Sequence, residues 1–160
     1  MSHPSLGLPP RDSRAGFEAA AARVRDARER LAARALEVAL DDARDMRDRY
    51  DEIGLRQLLI DAALIIDQVA TGLAERETNV GAKFAEQSAI VYRRRRVPMD
   101  DLIALSEGIR AALPSTLVGE ELEFAGEVLD RAEDVYRWHR RLAGDARKRN
   151  ALLQFLYKGG

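Results

Sequence analysis

Arg93-Arg94-Arg95-Arg96-Val97-Pro98-Met99-Asp100-Asp101-Leu102 is the stretch that decides the fold. Four arginines run out of one amphipathic segment, and an X-Pro step followed by two carboxylates opens the next. Pro98 confines Val97 to extended backbone, so a helix should stop near Arg96. Proline also suits the first turn of a new helix, where its missing N–H costs nothing. Asp100 and Asp101 then fall at the positive end of that helix. The passage predicts a hinge between two helices.

Downstream of the hinge, Leu102, Ile103, Leu105, Ile109, Ala112 and Leu113 recur at helical spacing. They lead to Pro114-Ser115-Thr116, which reads as an interhelical loop with Ser115 or Thr116 capping the next helix. The last segment carries Leu117, Leu122, Ala125, Val128, Leu129, Ala132, Val135, Tyr136 and Leu142, and Gly144 should bend it before Leu152, Leu153, Phe155 and Leu156. Upstream, Thr78-Asn79 or Gly81 should separate a Val80–Tyr92 segment from Leu55, Leu58, Leu59, Ala62, Ile65, Ile66, Val69 and Leu73. That broad apolar face predicts the most buried helix.

Before Gly54, Phe17, Val24, Leu31 and Val38 fall at seven-residue spacing, interleaved with Ala20, Ala27 and Ala35. The stripe then drifts to Leu36, Leu40, Ala43, Met46, Tyr50 and Ile53. Drift of this kind means one long helix that changes partners, or two helices with a kink between them. Asp12 or Ser13 can cap its start. No segment alternates with period two, and hairpin dipeptides such as Asn-Gly and Asp-Gly do not occur. The expectation is an all-α fold of five to seven helices, a helical bundle or globin-like array, with residues 1–12 as a flexible tail and residues 13–160 as one all-helical domain.

With 160 residues, one domain is the economical reading. Charged residues make up 33% of the chain, but 26 basic side chains nearly cancel 27 acidic ones. The whole molecule therefore has no net field to gather nucleic acid or anionic membrane. Absence of cysteine removes disulfides, thiolate chemistry and sulfur-dependent zinc sites, which fits a reducing compartment and a cytoplasmic location. The longest strictly apolar run, Ala62-Ala63-Leu64-Ile65-Ile66, is far shorter than a membrane span needs. A soluble protein is expected.

Chemistry-bearing residues are sparse. Of two histidines, His3 lies in the tail and His139 sits in Tyr136-Arg137-Trp138-His139-Arg140-Arg141. A helical His beside Trp and Tyr has the residue type to ligate haem iron, which makes His139 the one candidate cofactor ligand. A bundle diiron site needs Glu-x-x-His, and the position three before His139 is Tyr136, so that option closes. Carboxylates lie between arginines and read as a solvated face. Arg93–Arg96 could contact phosphates, although four consecutive residues span a full helical turn and cannot all face one groove. Phe84, Tyr92, Tyr136 and Trp138 could border a small apolar pocket. Phe17, Val24, Leu31 and Val38 could form an interhelical or a dimer seam. No glycine-rich phosphate loop or nucleophile elbow occurs, and no catalytic residues, metal or resident cofactor are expected.

From Gly81-Ala82-Lys83-Phe84-Ala85-Glu86-Gln87-Ser88 through Val97-Pro98-Met99-Asp100-Asp101-Leu102-Ile103-Ala104-Leu105, the sequence resembles the helical N-terminal regulatory domains of RsbR-type stressosome proteins, also found ahead of PucR-type regulators. In those domains a helix with small residues and a polar end leads into a G-V-P-L-x-x-L-L-x-A step. Val97-Pro98-Met99 and Leu102-Ile103 match it, while Arg96 stands where the pattern has glycine. The resemblance implies a non-enzymatic sensory or scaffolding domain, sometimes described as a globin relative without haem. Such a domain would dimerise and act on other signalling proteins through contact, with helices near residues 93–102 shifting when a ligand or partner binds. The alternatives from the residues themselves are a haem- or ligand-binding sensor using His139 and a nucleic-acid regulator using Arg93–Arg96.

Overall fold

The computed structural model describes the backbone of residues 11–158 and, within it, the side chains of residues 17–144 and 152–156. The expected tail lies outside these residues except for Arg11 and Asp12, which are already helical, and His3 lies outside them as well. The fold is all-α. Seven α-helices are described: α1 (Arg11–Asp26), α2 (Arg28–Asp42), α3 (Arg44–Arg49), α4 (Glu52–Glu75), α5 (Asn79–Arg94), α6 (Met99–Ala112) and α7 (Gly119–Lys158). A 3-10 turn at Leu113–Ser115 links α6 to α7.

The N-terminal stripe does both things its drift allowed. Ala27, at φ −93° and ψ 3°, interrupts the helix, yet its N–H still bonds to Arg23 O at 3.0 Å and its carbonyl accepts from Leu31 N–H at 2.8 Å. The rod is therefore kinked, not broken, and it changes partner there. α1 packs on α4, while α2 packs on α6 as well as α4. Two further breaks, at Ala43 and Tyr50, cut out the short α3. Gly54 is not a break. Asp51 caps α4 by accepting from the Gly54 N–H at 2.8 Å, so the helix starts before the glycine.

α4 is the central helix, burying Leu58, Ala62, Ile65, Ile66, Val69 and Leu73 against α1, α2, α5 and α7. By length and composition it could also cross a membrane, but 56% of the relevant window is buried inside the bundle, as a core helix requires. α5 and α7 form one close pair, α2 and α6 another. Glycines set both approaches. A Cβ on Gly81 would lie 2.1 Å from the Val128 carbonyl oxygen, and one on Gly108 would lie 2.2 Å from that of Ala35. Gly81, expected as a possible break, is thus a packing residue inside α5.

α7 begins at Gly119, with φ +56°, so neither Ser115 nor Thr116 is its cap; the Ser115 hydroxyl donates back to Ala112 O at 2.8 Å. Gly144 does not end or divide α7, which is helical through Lys158. A helical glycine costs about 1 kcal/mol against alanine, too little to stop a helix already propagating. At about 1.5 Å per residue, the 40 residues of α7 span roughly 60 Å. Ala125, Val128, Leu129, Ala132 and Tyr136 are buried in the core, whereas Leu152, Leu153, Phe155 and Leu156 are exposed.

The two kinds of glycine separate by substitution. Gly108→Ala forces α2 and α6 apart and is expected to destabilise by about 1–3 kcal/mol. Gly144→Ala meets nothing within 4 Å and should be neutral or stabilising by up to about 1 kcal/mol. Chemical denaturation of the two variants checks this, and equal effects would contradict the packing.

Candidate functional site

The hinge that the sequence singled out is a helix-closing motif with a cleft beside it. The Val97 N–H bonds to Tyr92 O at 2.9 Å and the Arg96 N–H to Arg93 O at 3.1 Å. This is the two-bond closure that normally carries glycine at the left-handed position. Here that position is Arg96, at φ +59°. Val97, two residues past Arg95, folds back into the core, which supplies the hydrophobic contact that accompanies the motif.

The four arginines point to different tasks, as a full turn of helix dictates. Arg95 turns inward to Asp61 of α4, its Nη1 donating to Oδ1 at 3.2 Å and its Nη2 to Oδ2 at 3.1 Å. That hydrogen bond, more than anything else around it, raises the Arg95 pKa. Arg93 donates to His139 Nδ1 on α7. Arg94 and Arg96 are exposed and make no ion pair among the described residues.

Arg93 and Arg96 line a cleft of about 550 Å³ together with Val97, Pro98, Met99, Asp100, Arg140, Ala143 and Gly144. Three guanidinium groups thus face one carboxylate, and Arg140 Nη1 bonds to Asp100 Oδ1 at 2.8 Å. Guanidinium stays protonated, so the lining is suited to holding an anion and not to moving a proton.

His139 is half-buried beside this cleft, with the Trp138 ring packed edge-on at 5.3 Å. Burial first, and the neighbouring Arg93 charge second, lower its pKa. Its Nδ1 is taken by Arg93. The other residues suggested as a pocket do not converge on one. Tyr92 and Tyr136 are buried core residues, Phe84 is half-buried, and Trp138 is 52% exposed. Tyr136 Oη lies 3.2 Å from Ser88 Oγ, and burial pushes the Tyr136 pKa up to about 12. Phe17, Val24 and Leu31 are buried inside the chain itself and Val38 is half-buried, so the heptad stripe is an interhelical seam. A second copy would need another surface. Ile53, Ile60 and Leu64 of α4 offer one, exposed at spacings of seven and four.

Treating the carboxylates as a solvated face missed three of them. Asp61, Asp101 and Glu133 are each about 1% exposed. Asp101 of α6 accepts from Arg49 of α3 and from the Tyr50 hydroxyl. Glu133 of α7 accepts from Arg110 of α6 at 3.2 Å and from Arg137 at 2.8 Å. Asp61 also takes a hydrogen bond from Gln57 at 3.2 Å. No buried side-chain nitrogen or oxygen among the described residues lacks a partner. The hinge is therefore pinned on both sides, by Asp61–Arg95 before it and Asp101–Arg49–Tyr50 after it.

Burial, reinforced by a hydrogen bond that the protonated carboxyl donates to neighbouring Glu107, raises the Glu133 pKa to about 7 against the opposing pull of Arg110. Comparison with family models, with curated proteins and with solved structures finds no match to this chain. Its function must be read from its own residues.

The Glu133 pKa gives a signed prediction. A carboxyl raised above its unfolded value favours the folded state while protonated, and that advantage is lost as pH rises through about 7. Between about pH 4 and pH 8, wild type should lose roughly 2–3 kcal/mol of stability relative to Glu133→Gln. Denaturation at both pH values measures the difference. A wild type that gains on Glu133→Gln as pH rises would show an ionised carboxylate stabilised by Arg110 and Arg137.

Proposed function

We propose that this chain is a helical regulatory domain that acts by contact, with the bundle as a fixed platform and the far half of α7 as its contact arm. The observation that carries this reading is the division within α7. Residues Ala125–Tyr136 are locked into the core, Arg140 to Gly144 form one wall of the hinge cleft, and Leu152, Leu153, Phe155 and Leu156 stand in solvent at 48–77% exposure. One rigid helix thus joins the core, a cationic cleft and an apolar surface with no intramolecular partner among the described residues. Exposed apolar clusters of this kind mark contact sites.

The resemblance of residues 81–105 to RsbR- and PucR-type sensor domains agrees with such a role. Arg96 supports it further, because the family pattern has glycine there and φ +59° is the conformation glycine adopts without strain. In this reading the cleft is where an effector would meet the domain, and α7 is what presents the result to a partner.

The reading requires that the arm contribute nothing to the bundle. Phe155→Ala should leave the unfolding free energy within about 0.5 kcal/mol of wild type, as for a free surface position. Tyr136→Ala, in the core half of the same helix, should cost about 3–5 kcal/mol. A Phe155→Ala cost above about 1 kcal/mol would mean that the arm folds onto the bundle, and the proposal would fail.

A further inference from the structure

Near-zero net charge conceals a strong separation of charge along the chain. Between Arg137 and Lys158 the sequence carries seven basic residues and one acidic residue. The arginine run 93–96 packs alongside the start of this segment, through Arg93–His139 and the shared cleft wall at Arg140. The rest of the molecule is correspondingly acidic. At the far end of the basic segment come the exposed Leu152, Leu153, Phe155 and Leu156, and Trp138 is exposed near its beginning.

From this juxtaposition we infer that the far half of α7, with Arg96 beside its start, docks on an anionic lipid surface. The inference rests on the reading of α7 as a contact arm and names what it contacts. Pairing with a second copy through the same segment would set seven-to-one excesses of positive charge against each other. A nucleic acid would satisfy the charge but gives four exposed Leu and Phe side chains nothing to enter, because its contacts are polar. An anionic bilayer surface satisfies both. Its phosphates meet the basic residues, and its headgroup–acyl boundary receives the Leu and Phe side chains, as for helices that lie in the interface. The exposed apolar residues cover only about one turn, so the docking should be reversible and depend on salt.

Flotation of the full chain with vesicles tests this. Binding is expected to vesicles of phosphatidylcholine with phosphatidylglycerol at low salt, to be absent with phosphatidylcholine alone, and to be released at high salt. Phe155→Glu/Leu156→Glu should abolish it without moving the thermal midpoint. Arg147→Glu/Lys148→Glu/Arg149→Glu should weaken it by at least about a hundredfold, since each basic residue near an anionic surface contributes about fivefold. Absence of binding to the anionic vesicles at low salt overturns the inference, as does wild-type binding by Phe155→Glu/Leu156→Glu. Tight binding to a duplex oligonucleotide or to polyglutamate, with no vesicle binding, overturns it in favour of those partners. If Phe155→Ala leaves stability unchanged and vesicles are not bound, the free arm stands and only its lipid partner is refuted.

Discussion

Three buried carboxylates, each held by arginine from another helix, are the interaction on which this bundle depends. Asp61 joins α4 to the end of α5, Asp101 joins α6 to α3 and its exit at Tyr50, and Glu133 joins α7 to α6. A buried ion pair is weak evidence of net stabilisation, because desolvation offsets most of the Coulomb gain. Its larger effect is on the alternatives. A core built mainly from alanine and leucine admits many helix registers, since those side chains interlock without strong preference. Sliding any of these helices by one turn would leave a buried carboxyl without its partner, so the register is fixed by what a mismatch costs.

Much of the fold was legible in the sequence. The Pro98 hinge, the buried α4 and the all-helical fold follow from periodicity and from a proline. The breaks were less legible because two of them, at Arg76 and Arg96, use arginine in the left-handed position where glycine is the readable signal. Gly54, Gly81 and Gly144 drew attention as breaks and are all helical. Gly81 serves close approach of α5 to α7, which depends on a residue far away in sequence and leaves no local trace.

The buried acids were legible in principle. Asp61 falls three residues after Leu58 and four before Ile65, so it lies on the apolar stripe of α4. Glu133 stands in a similar relation to Leu129 and Tyr136 on α7. Judging carboxylates by their charged neighbours hid this, whereas their phase relative to the stripe reveals it. The arginine run shows the complementary point. Composition makes it a uniform cationic patch, but helical geometry turns Arg95 back onto the buried Asp61, sets Arg93 against His139 and leaves Arg94 and Arg96 without an ion pair among the described residues.

The most direct measurement is denaturant unfolding of Arg95→Met, Asp61→Leu and the double variant. With the clamp setting the register, Arg95→Met strands the buried Asp61 charge and should cost about 3–5 kcal/mol, while the double variant should recover more than half of that loss. Losses below about 1 kcal/mol for Arg95→Met, or a double variant that simply sums the single effects, would show the pair to be no more than a surface ion pair and contradict the account.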